Sequence, residues 1–234
     1  KSVPLTGGLR YDLKAMKDAV TGRTKIVFIA NPDNPTGTYV TKRELEDFLK
    51  GLPGDLIVFL DEAYFEFGRA SFRDYPDGTE YLGRRQGLIV ARSFSKAYGL
   101  AGLRVGYGVA DAGVISCMEK VREPFNINLL AQAGALAALD DRAFLRRSIA
   151  HAIREKVFIS SAFEKMGLRH VPSATNFIIV DVKRDCKDVF LALLKEGVIV
   201  RDMKAWGFDS YIRVTVGTRA ENVKFIAALK RVLR

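Results

Sequence analysis

Lys96 is the residue of this chain best placed to act as a nucleophile. It lies in Ser93-Phe-Ser-Lys-Ala-Tyr-Gly-Leu-Ala-Gly-Leu-Arg104, where two hydroxyls and a guanidinium flank it among small residues that let a ligand approach the backbone. Ser93, Ser95 and Arg104 converging on one point form a phosphate site. A lysine amine with apolar neighbours can lose its proton and attack a carbonyl carbon. Two further segments have the same character. Asp61-Glu-Ala-Tyr64 puts an acid directly after an all-apolar stretch, so the carboxylate emerges beside whatever lies at the end of that stretch and, if buried, needs a cation or donors. Asn31-Pro-Asp-Asn-Pro-Thr-Gly37 is a tight loop set by two prolines and a glycine. A turn explains the prolines and the glycine, but not both asparagines. Taken singly, each segment is a weak signal: Ser-x-Ser-Lys is usually a surface loop, and an acid at a strand end is about as often a structural cap.

The surrounding pattern says what must hold these segments. Residues 25–30, 56–60, 88–91 and 105–109 are short, nearly continuous apolar runs, as expected of strands covered on both faces. Helical patterns separate several of them, the first opened by the capping box Thr41-Lys-Arg-Glu44. Strands alternating with helices predict an α/β fold with a mainly parallel sheet, and open sheets of that kind place ligands at the C-terminal ends of their strands. After Pro124 the texture changes to long helices at residues 129–139 and 141–166, then a strand at 176–181, a helix at 187–196, short strands at 198–200 and 211–216, and a last helix capped by Thr218-Arg-Ala-Glu221. The division this implies is a large domain over residues 1–140 and a smaller α+β domain over residues 141–234.

Composition narrows the function classes. With 48% hydrophobic and 27% charged residues among 234, the chain is an ordinary globular one, neither disordered nor fibrous. No window reaches the roughly 18 uninterrupted apolar residues of a membrane span, so the expectation is a soluble, cytoplasmic protein with no membrane partner. The net charge of +10 is scattered, with no basic run interleaved with aromatics, which argues for solvated helix faces and an anion site and against nucleic acid. Cys117 and Cys186 lie far apart, and the only histidines are His151 and His170, so no metal-ligand set is visible.

Together and in this order, the three segments resemble the signature of the fold-type I aminotransferases, those related to aspartate aminotransferase. Pro172-Ser-Ala-Thr-Asn-Phe177 and Tyr211-Ile-Arg-Val-Thr-Val-Gly-Thr218 resemble small-domain motifs of the same family, in wording most similar to the histidinol-phosphate aminotransferases. The resemblance implies pyridoxal 5′-phosphate as cofactor, a large PLP-binding domain with a smaller C-terminal one, a small-molecule amino donor with a 2-oxo acid acceptor, and a homodimer. It implies that Lys96 forms the Schiff base to the cofactor and moves the proton. Asp61 would pair with the pyridine nitrogen, which lets the ring accept electron density. Tyr64 and Asn34 would hydrogen-bond the ring oxygen. Ser93, Ser95 and Arg104 would hold the cofactor phosphate, with the alternative that Ser95 only orients its neighbour. Arg213 would grip a substrate or acceptor carboxylate, with Asn176 beside it. Arg201 would contact a substrate phosphate; the residues alone read equally well as an edge arginine paired with Asp202 or Asp209. Rival activities within the same family are transamination of aromatic amino acids and decarboxylation of threonine phosphate. Family members carry a segment ahead of the region that begins here, with a further phosphate-binding turn and a ring-stacking aromatic, so the resemblance also implies that the chain is a fragment.

Overall fold

The computed structural model describes residues 1–234, which form two compact units: Lys1–Asp33 with Thr38–Ser148, and Asn34–Gly37 with Ile149–Arg234. The first contains α1 (Leu13–Asp18), β1 (Ile26–Ala30), α2 (Lys42–Lys50), β2 (Ile57–Asp61), α3 (Phe65–Ser71), β3 (Leu88–Ser93), β4 (Gly106–Val109), α4 (Ala112–Glu119) and α5 (Leu129–Asp140). The division into units falls inside the next helix, α6 (Arg142–Lys165).

The sheet of the first unit runs β1-β2-β3-β4. β1, β2 and β3 are parallel, in a register that aligns Ala30 with Asp61 and Asp61 with Ala91. β4 returns antiparallel to β3, because the loop between them reverses the chain without a crossover helix. The expected mainly parallel α/β sheet is present. α2 forms where its capping box requires: Thr41 Oγ1 accepts from the Glu44 amide at 3.3 Å, and Glu44 Oε2 accepts from the Thr41 amide at 2.8 Å. Leu45, Phe48 and Leu49 lie three and four residues apart on its buried stripe and pack with Ile29, Val58, Leu60, Leu88 and Val90 into one core.

The near-continuous apolar runs predict strands covered on both faces; these 234 residues pack the face carrying Ile29, Val58 and Leu60. The other, with Ile26, Phe28, Ile57, Phe59 and Ile89 and with Val114 and Met118 of α4 at its margin, is an open apolar depression, in which Phe28 is 64% exposed. Hydrophobic runs record which surfaces are apolar; they do not say what covers them. α1, α3 and α4, none longer than eight residues, escape the sequence pattern because two turns give too few positions for a helical period.

The second unit contains β5 (Phe177–Asp181), α7 (Cys186–Lys195), β6 (Arg201–Asp202), β7 (Tyr211–Thr215) and α8 (Arg219–Val232), with an antiparallel sheet ordered β5-β7-β6. Its core joins Ile159 and Phe163 of α6 to Ile178 and Val180, Val189 and Leu193, Ile212 and Val214, and Phe225 and Leu229. The strand expected at residues 198–200 is displaced to Arg201–Asp202. α7 ends on Gly197 in the left-handed conformation (φ +68°), and the Val198 amide closes the helix by donating to the Leu193 carbonyl at 3.0 Å. That amide is therefore unavailable to a sheet ladder.

Candidate active site

In the first unit the parallel register brings the C-terminal ends of β1, β2 and β3 to one edge, so the segments singled out by residue type leave the sheet side by side. Asp61, the last residue of β2, is exposed, and its Oδ1 accepts from the Ala63 amide at 2.9 Å. The acid emerges at the strand end as expected. Tyr64 is buried at the start of α3, and the Lys96 ammonium stands 5.1 Å from the centre of its ring. The carboxylate, the phenol and the amine thus lie at or just beyond the ends of neighbouring strands.

Ser93 closes β3, and its Oγ accepts from the Ser95 amide at 3.0 Å. Arg104 has φ +54°, an uncommon conformation for a residue with a side chain. Its Nη1 donates to the Ala101 carbonyl at 2.8 Å and reaches Ser95 Oγ at 3.5 Å, the long limit for such a bond. The guanidinium of Arg104 thus reaches Ser95, and Ser93 holds the Ser95 amide. The loop that carries them is anchored at both ends, since the Phe94 amide donates to the Val105 carbonyl at 3.2 Å and both side chains pack on Ala131 and Ala135 of α5.

Below this edge lies a buried polar group that the sequence reading passed over. Glu62 is fully buried. Its Oε2 accepts from Arg92 Nε at 2.9 Å, and its Oε1 accepts from the Gly78 amide at 2.8 Å. Arg92 also donates to Asp77 Oδ1 at 2.6 Å and lies 3.5 Å above the ring of Phe65. Burial pushes the Glu62 carboxyl up to about 7, against the Arg92 guanidinium, which pulls it down. The buried carboxylate in need of a cation is thus Glu62 and not Asp61, and only the three-dimensional pairing of residues 30 positions apart reveals it.

The segment from Asn31 to Gly37 divides. Asn31 belongs to the first unit, where its buried amide donates to the Val40 carbonyl at 3.1 Å and accepts from the Val40 amide at 2.8 Å. It pins the loop, so one of the two asparagines that a turn alone left unexplained has a structural role. Asn34 belongs to the second unit and is exposed, its Oδ1 accepting from Arg213 Nη1.

Arg213, on β7, also lies 4.9 Å from the centre of the Phe177 ring. Arg201 on β6 is its cross-strand partner in the antiparallel ladder, so the two guanidinium-bearing side chains leave the same face. Arg201 lies 5.3 Å from the ring of Trp206 and forms no ion pair with Asp202 or Asp209. Like charges directly opposite one another repel, and an anion would relieve that. Asn176, half-buried before β5, accepts from the Val216 amide through its backbone carbonyl at 2.9 Å.

Gly37 (φ +78°) lies so close to Ser173 that a Cβ there would stand 2.5 Å from the serine Oγ; only glycine fits. The Ala174 amide donates to the Gly37 carbonyl at 2.8 Å. A second buried charge missed by sequence reading, Lys156, donates to the Ser173 carbonyl at 2.7 Å, and burial lowers its ammonium to about 8.

The model of the family described as aminotransferase class I and II matches residues 1–229. Histidinol-phosphate aminotransferase 2 of Carboxydothermus hydrogenoformans is 50% identical over 224 residues, 96% of this chain and 62% of that protein. The histidinol-phosphate aminotransferase of Moorella thermoacetica is 48% identical over 229 residues, 97% of this chain and 59% of that protein. The chain thus spans about three-fifths of the length of these curated relatives. Among solved structures, histidinol-phosphate aminotransferase from Sinorhizobium meliloti in complex with pyridoxal-5′-phosphate superposes on 100% of this chain and 64% of its own with a TM-score of 0.92 at 33% identity. L-threonine-O-3-phosphate decarboxylase from Porphyromonas gingivalis does so over 92% of this chain and 66% of its own, with a TM-score of 0.75 at 26% identity. The order of elements, the strand-end residues and the family match over nearly the whole sequence agree: this chain belongs to the class I and II aminotransferases.

Proposed function

We propose that the protein is a pyridoxal 5′-phosphate-dependent aminotransferase of histidine biosynthesis, moving the amino group of L-histidinol phosphate to 2-oxoglutarate to give imidazole acetol phosphate and glutamate. The observation that carries this reading is the strand-end set of the first unit: Asp61, Tyr64 and Lys96 beside the Ser93, Ser95 and Arg104 donors. These residues fit the cofactor by their chemistry, offering hydroxyls and a guanidinium for a phosphate monoester, a carboxylate for a pyridinium and a primary amine for an aldehyde. When bound, the cofactor supplies an electron sink for the bond broken at the substrate carbon.

The chain's own residues do the rest. Lys96 would offer its amine to the cofactor aldehyde and, as the nearest base, hold the proton exchanged at the substrate carbon. Asp61 would keep the ring nitrogen protonated, and Tyr64 and Asn34 would donate to the ring oxygen. Arg213 binds a carboxylate of the acceptor, with Asn176 beside it, and Arg201 binds the substrate phosphate in the planar, two-bond manner open to a guanidinium. The large cofactor-binding domain is assigned to residues 1–140 and the small domain to residues 141–234.

Two features of setting belong to the same reading. A homodimer is supported by the apolar surface of α5, where Leu129 and Leu130 are each 78% exposed. No helix is long and apolar enough to cross a membrane. A cytoplasmic location suits substrates that are charged, phosphorylated metabolites. The likeness to a threonine-phosphate decarboxylase favours one alternative, release of carbon dioxide from a phosphorylated amino acid, which a carbon dioxide assay run against glutamate formation separates.

The test of the cofactor assignment is borohydride reduction of the cofactor-loaded full chain, followed by peptide mapping. Label is expected on Lys96 alone. Label on another lysine removes the assignment.

A further inference from the structure

We propose that the buried Glu62–Arg92 pair is a positioning device that sets the distance between the two strand ends carrying the cofactor contacts of the first unit. The inference rests on the reading of Asp61 and Ser93 as such contacts. Glu62 is the residue after Asp61, and Arg92 the residue before Ser93. The side-chain bridge therefore ties together the ends of two adjacent strands, one residue away from each candidate contact. The backbone adds one more tie at the same level, the Glu62 amide donating to the Ala91 carbonyl at 2.8 Å.

The geometry over-determines the bridge. Glu62 spends one oxygen on the Gly78 amide, at a point where a Cβ on residue 78 would come within 2.7 Å of that oxygen. Its other oxygen takes Arg92 Nε and Nη2, at 2.9 and 2.8 Å. Arg92 is fixed on three sides, by Glu62, by Asp77 and by the Phe65 ring, and Phe65 follows Tyr64 directly. Asp77 is in turn fixed by Thr79, whose amide and hydroxyl both donate to its Oδ1, at 3.0 and 2.6 Å. Both segments bearing candidate cofactor contacts are thus clamped to one guanidinium. Neither Glu62 nor Arg92 is itself among the groups assigned to the cofactor.

Energetics favour geometry over stability as its purpose. A buried ion pair recovers its desolvation cost only with excellent geometry and further hydrogen bonds, and an apolar pair of similar volume is often no less stable. What such a pair supplies is a fixed, directional spacing, and an active site is sensitive to displacements on the order of 1 Å.

The experiment uses the full chain with cofactor removed and restored. The double variant Glu62→Gln with Arg92→Met removes both charges and leaves neither buried alone. The apo-protein is expected to melt within a few degrees of wild type. Cofactor dissociation by equilibrium dialysis is expected to weaken at least tenfold, about 1.4 kcal/mol, and the pH midpoint of the bound cofactor's visible absorption is expected to move. Glu62→Gln alone, which keeps its volume and its acceptor for Gly78, is expected to shift affinity in the same direction by a smaller factor, and it decides the matter should the double variant not fold. Unchanged cofactor affinity and unchanged midpoint in a folded variant overturn the inference. So does a loss of apo stability with cofactor binding intact, which makes the pair merely structural. Asp61→Asn separates the two levels: if it leaves affinity and midpoint as in wild type, the reading of the strand ends fails and the inference falls with it. If Asp61→Asn moves them and the Glu62 and Arg92 variants do not, the inference alone fails.

Discussion

On the proposed reading, substrate choice turns on Arg201. Its register opposite Arg213 puts two guanidiniums on one face of a sheet, and its lack of a carboxylate partner leaves it free for an anionic substrate. Arg201→Ala is expected to lower kcat/KM for histidinol phosphate by a factor of roughly 30 or more, on the order of 2 kcal/mol for a charge-assisted contact, and to leave the cofactor spectrum unchanged. The control is kcat/KM for phenylalanine. Equal loss on both substrates, or a wild type that prefers phenylalanine, selects the aromatic aminotransferase reading instead.

Lys156 gives a stability signal of definite sign. Its ammonium titrates near 8 in the folded chain and near 10.4 when unfolded. Below pH 8 both states hold the proton; between the two values the unfolded chain holds more, so stability contributed here rises with pH and levels off above the upper value. Denaturant melts across that window are expected to show a climb of a few kcal/mol in wild type that Lys156→Met abolishes. A parallel climb in both proteins assigns it to other groups. The placing of Asp61 at a strand end, with Tyr64 and Lys96 just beyond strand ends, was legible in the sequence because such position is a local property. Glu62, Arg92 and Lys156 were not, because a charge inside an apolar pattern has meaning only once its distant partner is known.

At the scale of elements, legibility followed the same boundary. The two capping boxes are closed within four residues, and the helices at Lys42–Lys50 and Arg219–Val232 begin where their Thr-x-x-Glu wording says. The shift of β6 turns on which carbonyl the Val198 amide finds, a competition between closing α7 and extending a sheet that no residue type announces. Gly37 is the element-level joint that should tolerate least. Gly37→Ala combines a strained positive φ with a clash against Ser173, and a loss of about 1–3 kcal/mol is expected from urea unfolding. Pairing it with Ser173→Gly should restore part of that, leaving the left-handed strain of about 1 kcal/mol. Full restoration would show that contact, not conformation, makes glycine necessary.

At the scale of the molecule, composition foretold an ordinary globular chain and the alternation of strands with helices an α/β one, and neither hinted that these residues leave one sheet face bare. β1 ends the sheet, and the bare face begins on it with Ile26 and the largely exposed Phe28. A marginal strand with apolar side chains and unspent backbone donors is a template for another extended chain. Taken by itself, the 234-residue stretch in concentrated solution is therefore expected to grow β-rich assemblies by strand addition, and thioflavin fluorescence would follow them with a lag that shortens as concentration rises. Lys25, beside that strand, and the net charge of +10 act as repulsive gatekeepers that salt disarms, so the lag should also shorten with ionic strength. Phe28→Glu, at a site that costs the core little, should lengthen it severalfold; an unchanged lag would move the origin of assembly away from β1.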